Sequence, residues 1–207
     1  MLAAQKLARL IEALRGGEAL AASTAARQAV LAPARWMQRA LTVQAAQERH
    51  HAAIAESASM MIGAQSRIPS RAPDVTAALR ARLNRDLDAG NLLASFSGLQ
   101  GVVEHLGEAL LDQLGANAHP AGTLLHRLRL RVLAQERGHV LLGARCRAAL
   151  CAPRDDDTLN EYCALGRATA VDLADLLDDA RLDAAAFWRD VHSRLTQWHA
   201  ESNATRQ

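Results

Sequence analysis

Lysine is almost absent from this chain: Lys6 is the only one in 207 residues. Aromatic residues make up 3%, although half of the residues are hydrophobic, so any core must be built mainly from Ala, Leu and Val. No stretch alternates apolar and polar residues with β-branched side chains for long enough to read as a strand, which excludes a sheet-based fold. The three cysteines, Cys146, Cys151 and Cys163, form no CxxC pair and are too few for a disulfide framework, so a reducing, cytoplasmic setting is expected. No apolar run reaches the roughly 18 residues of a membrane span. Lys6, Arg9, Glu12 and Arg15 make the start of the chain an amphipathic helix and not a secretory signal. A formal charge of +2 is too small to argue for nucleic acid. The arginine bias reads as composition more than as a binding surface. Arg127, Arg129 and Arg131 read as solvated, with an acidic substrate or RNA as the alternative.

What the chain has in plenty is Ala, Leu, Arg and Gln, which lose least on entering a helix. The expected class is all-α, with residues 1–207 forming a single domain. Pro33 separates helices predicted at about 2–31 and 34–65, with a break possible at Gly16-Gly17. Residues 66–73 carry Pro69 and Pro73 and read as a linker, and Asp74 after them reads as a helix N-cap. A short helix is predicted at about 75–86, a long one at 88–115, another from Pro120 to Leu150, and two appended ones at 158–180 and 183–200. The plan is two long helical hairpins over about 2–150, joined by a crossover, with two further helices over about 155–200.

Two pentapeptides nearly repeat: Gln47-Glu48-Arg49-His50-His51 and Gln135-Glu136-Arg137-Gly138-His139. Each holds Glu-x-x-His, and residues three apart share a helix face, so each Glu and His can grip one metal ion. Glu18 and Glu48 both lie 15 residues from Pro33; Glu104 and Glu136 both lie 16 residues from Pro120. In an antiparallel hairpin, residues equidistant from the turn sit at one height, here about 23 Å from it at roughly 1.5 Å per residue. Each Glu-x-x-His therefore faces a carboxylate on its partner helix. Helix-borne charges usually form a solvated face, but these lie in apolar stretches. Leu99, Val102, Val103, Leu106 and Leu110 surround Glu104, and Val132, Leu133, Val140 and Leu142 surround Glu136 and His139. Glu12 competes with Glu18 as the first ligand.

The order Glu, ExxH, Glu, ExxH resembles the ligand set of the ferritin-like di-iron carboxylate superfamily, over about residues 12–145. That resemblance implies a ferritin-like four-helix bundle with a long crossover at 66–87. It implies two iron ions, with manganese possible at one position, and dioxygen as co-substrate. Glu18, Glu48 and His51 would serve one iron and Glu104, Glu136 and His139 the other, with Glu48 and Glu136 bridging. Many relatives carry an Asp before the ExxH glutamate to hold the opposite histidine. Here Gln47 and Gln135 stand in its place; an amide carbonyl can accept the imidazole N–H but leaves the ring less basic.

The function expected from the resemblance is an O2-dependent hydroxylase or oxygenase acting on a small organic molecule or a modified nucleoside. It would have a ferredoxin or flavin reductase as electron donor, a homodimer as possible assembly, no membrane partner, and tRNA as the one nucleic acid open as substrate. The alternatives are a ferritin- or rubrerythrin-like ferroxidase or peroxidase and a metal-free helical interaction protein. The absent CxxC pair speaks against a rubrerythrin. Tyr162, the only tyrosine, lies outside the hairpins, against a radical-storing subunit. Glu108, one turn past Glu104, is expected as an extra ligand or proton relay. His50 and His105 fall off the ligand face. Gly98, Gly101, Gly138 and Gly143 are costly inside helices and are expected either to allow tight packing or to border a cavity beside the metals; Gly101, one turn before Glu104, is expected nearest to them.

Overall fold

A computed structural model describes residues 2–64, 74–118, 124–150, 156–179 and 182–204. The linker at 66–73, Pro120, Cys151, Pro153 and Asp155 lie outside the described residues. Every regular element among the described residues is helical: α1 (Leu2–Leu31), α2 (Arg35–Ala64), α3 (Ala77–Asp88), α4 (Leu92–Gly98), a π turn (Leu99–Val103), α5 (Glu104–Ala118), α6 (Leu124–Leu150), α7 (Asp156–Asp179) and α8 (Ala184–Ala204). None is long and apolar enough to cross a membrane.

The predicted boundaries match closely, with three differences that have physical causes. α1 runs unbroken through Gly16-Gly17, because neighbouring Ala and Leu residues hold the helix on a shared apolar face. Asp74 is not the cap of α3; its carboxylate accepts from the Thr76 backbone N–H and hydroxyl, forming a turn that delivers Thr76 to the N-cap position. The long helix predicted at 88–115 begins after a break at Gly90, whose φ of 69° is the left-handed conformation that favours glycine. Asn91 then caps α4 by accepting from the Ala94 N–H, and the π turn interrupts the α-ladder directly before Glu104.

α1 and α2 pack along their length as a hairpin, and α4–α5 returns against α6. α7 lies on α1, α3 and α4, and α8 on α5 and α7. The largest core cluster joins Leu20, Leu99 and Val102 of the hairpins to Phe187, Val191 and Leu195 of α8, so the appended helices share the core. Full burial of a residue such as Phe187 stabilises the fold by roughly 1.5–3 kcal/mol. Among the described residues, α2 packs only on α1 and α6 at the stronger helix contacts.

Candidate metal centre

Glu18 on α1, Glu48 and His51 on α2, Glu104 on α5, and Glu136 and His139 on α6 meet inside the bundle, each less than a tenth exposed. They form two overlapping groups, Glu18–Glu48–His51–Glu136 and Glu48–Glu104–Glu136–His139, each with its ligand atoms within 4.8 Å of one another. Glu48 and Glu136 belong to both.

Their oxygens are shared out between the two groups. His51 Nδ1 lies 3.2 Å from Glu48 Oε2, 3.0 Å from Glu136 Oε1 and 3.4 Å from Glu18 Oε2. His139 Nδ1 lies 2.7 Å from Glu48 Oε1, 3.5 Å from Glu104 Oε2 and 3.9 Å from Glu136 Oε2. Glu48 and Glu136 thus each turn one oxygen to each histidine, the arrangement a bridging carboxylate needs. The imidazole rings stand 6.4 Å apart.

The outer nitrogens are tied down crosswise. Gln135 Oε1 lies 2.8 Å from His51 Nε2, and Gln47 Oε1 lies 2.8 Å from His139 Nε2. An amide oxygen only accepts, so each histidine donates from Nε2 to its glutamine and turns Nδ1 to the carboxylates. The glutamine preceding each ExxH motif holds the histidine of the other helix.

Electrostatics leave the cluster short of positive charge. Burial, then repulsion from Glu136, pushes the Glu18 carboxyl well above the usual range. Burial, then the charge of Glu48, does so for Glu104, and burial, then Glu104, for Glu136. Burial alone would raise Glu48 too, but hydrogen bonds from His139 and His51 outweigh it and hold it down to about 2. Burial would lower His51, yet its hydrogen bonds to Glu136, Glu18 and Glu48 raise it. Glu136 Oε1 and His139 Nδ1 are buried without a hydrogen bond of good geometry. With metal bound at both histidines, four glutamates and two neutral imidazoles would sum to −4, which two divalent cations would bring to zero (−4 + 4). Donor set, sharing of oxygens and orphaned atoms all fit a pair of carboxylate-preferring divalent ions.

No family model matches this chain, and no curated protein matches it.

Other expected residues fall elsewhere. Glu12 is taken by Arg15, whose Nε lies 2.9 Å from its carboxylate, and it joins neither group. Glu108 is buried, but α8 claims it: Arg194 pairs with Glu108 and, 2.9 Å away, with Asp112. It is in neither ligand group. His50 is exposed, and His105 packs edge-on to Trp198 at 6.4 Å. Tyr162 donates to Asp86 at 2.6 Å.

Gly101 does not border a cavity. A β-carbon there would collide with the Trp198 ring, because the wider π turn between it and Glu104 breaks the three-residue register of an α-helix. Gly98 is likewise closed by Tyr162 and Gly143 by Gln100. A cavity of about 40 Å³ does adjoin the cluster, lined by Gly17, Ala21, Gly107, Leu110 and Leu173 and reaching Glu18, Glu104 and Glu136. Thr76 and Thr169 also line it, although the Thr76 hydroxyl is taken by Asp74 at 2.8 Å.

Sequence reading missed a chain of buried amides. Gln100 Nε2 donates to Gln28 Oε1 and Gln44 Oε1, both at 2.9 Å, and Gln44 Nε2 donates to Glu104 Oε1 at 2.7 Å. The available signal was spacing: Gln44 lies four residues before Glu48, and Gln100 four before Glu104, on shared helix faces.

Proposed function

We propose that this chain is a ferritin-like, non-haem di-iron oxidoreductase that uses dioxygen to oxidise a small organic molecule. The observation that carries the reading is the way Glu48 and Glu136 divide their oxygens between His51 and His139. The cavity beside Glu18, Glu104 and Glu136 adds room for dioxygen and the reacting end of a substrate, being several times the roughly 10–15 Å³ that one water needs. When bound, a ferrous pair supplies electrons to dioxygen. The chain's own groups do the rest. Glu18 and Glu104 would each serve one metal position, and Glu48 and Glu136, members of both groups, would serve both. His51 and His139 would bind through Nδ1, while Gln135 and Gln47 fix their rings. Leu110, Leu173 and Ala21 keep bulk water from the reacting face, and Thr169 orients a polar end of the substrate.

Two readouts test this. Anaerobic titration with ferrous iron should saturate near two per chain, and oxygen should then raise a near-ultraviolet charge-transfer band. Gly17→Leu projects into open space at the cavity wall; it should keep the iron and suppress substrate-dependent oxygen uptake. Saturation at zero or one iron removes the di-iron reading. Oxygen uptake limited by iron alone, and indifferent to Gly17→Leu and to every organic compound offered, makes the chain a ferroxidase.

A further inference from the structure

The lining of the cavity beside the cluster decides what can reach the metal positions. It meets the cluster on the carboxylate side: Glu18, Glu104 and Glu136 line it, and neither His51 nor His139 does. Those three are its only charged residues, and no arginine, lysine or histidine joins them among the described residues. A phosphate or carboxylate reaching this far finds no counter-charge, and glutamates spent on metals leave none for an ammonium group. No aromatic ring lines it either, so a flat base has no face to stack on. Beyond the cluster the lining carries two hydroxyls, and Asp74 takes that of Thr76, which leaves Thr169. The rest is Ala, Leu, Val and Gly.

Of these lining residues only Leu14, Gly17 and Gly107 are half-buried; the others are buried. The cavity therefore opens there. Glycine inside a helix is costlier than alanine, and elsewhere in the bundle close packing demands it. A β-carbon would strike Tyr162 at Gly98, Trp198 at Gly101 and Val102 at Gly166. Packing makes no such demand at Gly17, where a β-carbon meets nothing within 4 Å, or at Gly107, where it meets only Glu136 Oε2 at 3.9 Å. Gly16 and Gly138 are as open but are not part of the lining. Gly17 and Gly107 thus flank a port that leads straight to a bridging carboxylate, and a side chain at either would narrow it. At about 40 Å³ the cavity holds roughly three water-sized groups. Dioxygen and the last carbons of a chain fill it, so the body of a substrate stays outside the port.

We propose that the substrate enters at Gly17 and Gly107 tip-first, as a slender, uncharged apolar tail, and is hydroxylated on that tip while its larger body stays in solvent. This rests on the oxygenase reading. One C–H bond of the tip becomes C–OH. One oxygen atom of dioxygen enters the product and the other leaves as water with two protons; the two electrons come from two ferrous ions, which end ferric. A charged tip is rejected by the lack of counter-charge, and a branched one by the width of the cavity.

Hexanamide, with a methyl tip, serves as probe beside its tert-butyl-tipped and amine-tipped analogues, and manganese(II) is the redox-silent metal for the binding measurement. On manganese-loaded protein the terminal-methyl protons of hexanamide should relax several-fold faster than those beside the amide. Both analogues should bind at least tenfold more weakly. Gly17→Leu should erase the relaxation gradient while manganese uptake stays unchanged. Leu173→Ala, which widens the cavity, should admit the tert-butyl analogue; the ranking of the three tips on the unmodified protein tests the proposal whether or not that variant folds. In a single turnover of ferrous-loaded protein under isotopically labelled dioxygen, one labelled oxygen should appear on the last or next-to-last carbon of hexanamide. Metal bound normally, with equal binding of the three tips or relaxation strongest beside the amide, overturns this proposal alone. So does labelled oxygen placed beside the amide. Tip-first binding without labelled product overturns it together with the oxygenase reading, and a chain that takes up no metal overturns it together with the di-iron reading.

Discussion

The two halves of the cluster carry the same ligands but not the same support. On α2 the residue one turn before Glu48 is Gln44, and its amide donates to Glu104 at 2.7 Å. The corresponding position on α6, one turn before Glu136, is Val132, which packs with Leu111, Leu133 and Leu14. Glu104 is therefore anchored through Gln44 to the buried amides of Gln100 and Gln28, whereas Glu18 has His51 at 3.4 Å. Glu104 also follows the π turn, while α1 reaches Glu18 as ordinary α-helix. The lesson is that a repeated ligand motif fixes what is bound, and the residues a turn away decide how firmly each ligand is held. The Glu104–His139 half is tied into a chain of buried amides; among the described residues the Glu18–His51 half has no such chain.

The largest expected effect separates shared from terminal ligands. Glu48→Ala or Glu136→Ala should reduce iron binding to near zero, because each removes a donor from both positions. Glu18→Ala should leave about one iron per chain, held by the anchored half. Metal analysis of the purified variants reads this directly, and equal loss from all three would remove the distinction between bridging and terminal roles.

Acidity gives a second, smaller contrast. Glu18, Glu104 and Glu136 titrate above their unfolded value of 4.5, so what they contribute to metal-free stability is complete below that value and is lost as the pH rises. His51, raised above 6.5, acts in the same direction. Glu48, held down to about 2, acts oppositely, its contribution being lost only as the pH falls from 4.5 toward 2. The metal-free Tm should thus fall from about pH 5 to about pH 8. Iron binding, which releases protons from the same carboxylates, should reverse the slope. Parallel Tm profiles with and without iron would contradict the arrangement.

Smallest is the effect of the anchor itself. Gln44→Leu leaves all six ligands in place, so two irons should still bind, but the Glu104 position should lose about tenfold in affinity, within the range typical of outer hydrogen-bond partners. That would bring the two positions closer together in a stepwise titration. If the gap between the steps is unchanged, Gln44 is a packing residue.

Much of this was legible in the sequence because it is carried by periodicity and distance along the chain. Pro33, with Glu18 and Glu48 equally spaced about it, fixes a hairpin and a height together, and the i,i+3 rule puts Glu and His on one face whatever the rest of the fold does. The crosswise role of Gln47 and Gln135 came from the family resemblance, in which the residue before each ExxH glutamate holds the opposite histidine. What escaped depends on long-range packing. Gly101 looked close to the metals on α-helical spacing, and the π turn, which no residue pattern announced, rotated it onto Trp198. Glu108 was legible as an extra ligand or a proton relay, but not its pairing with Arg194, which α8 brings to it from 86 residues away.

The central claim is that these six side chains hold two metal ions bridged by Glu48 and Glu136, and anomalous scattering at the iron edge tests it most directly. Crystals grown anaerobically with ferrous iron should show two peaks inside the bundle, one beside His51 Nδ1 and one beside His139 Nδ1, with both bridging carboxylates in contact with each. A single peak, or iron bound only outside the bundle, would contradict it.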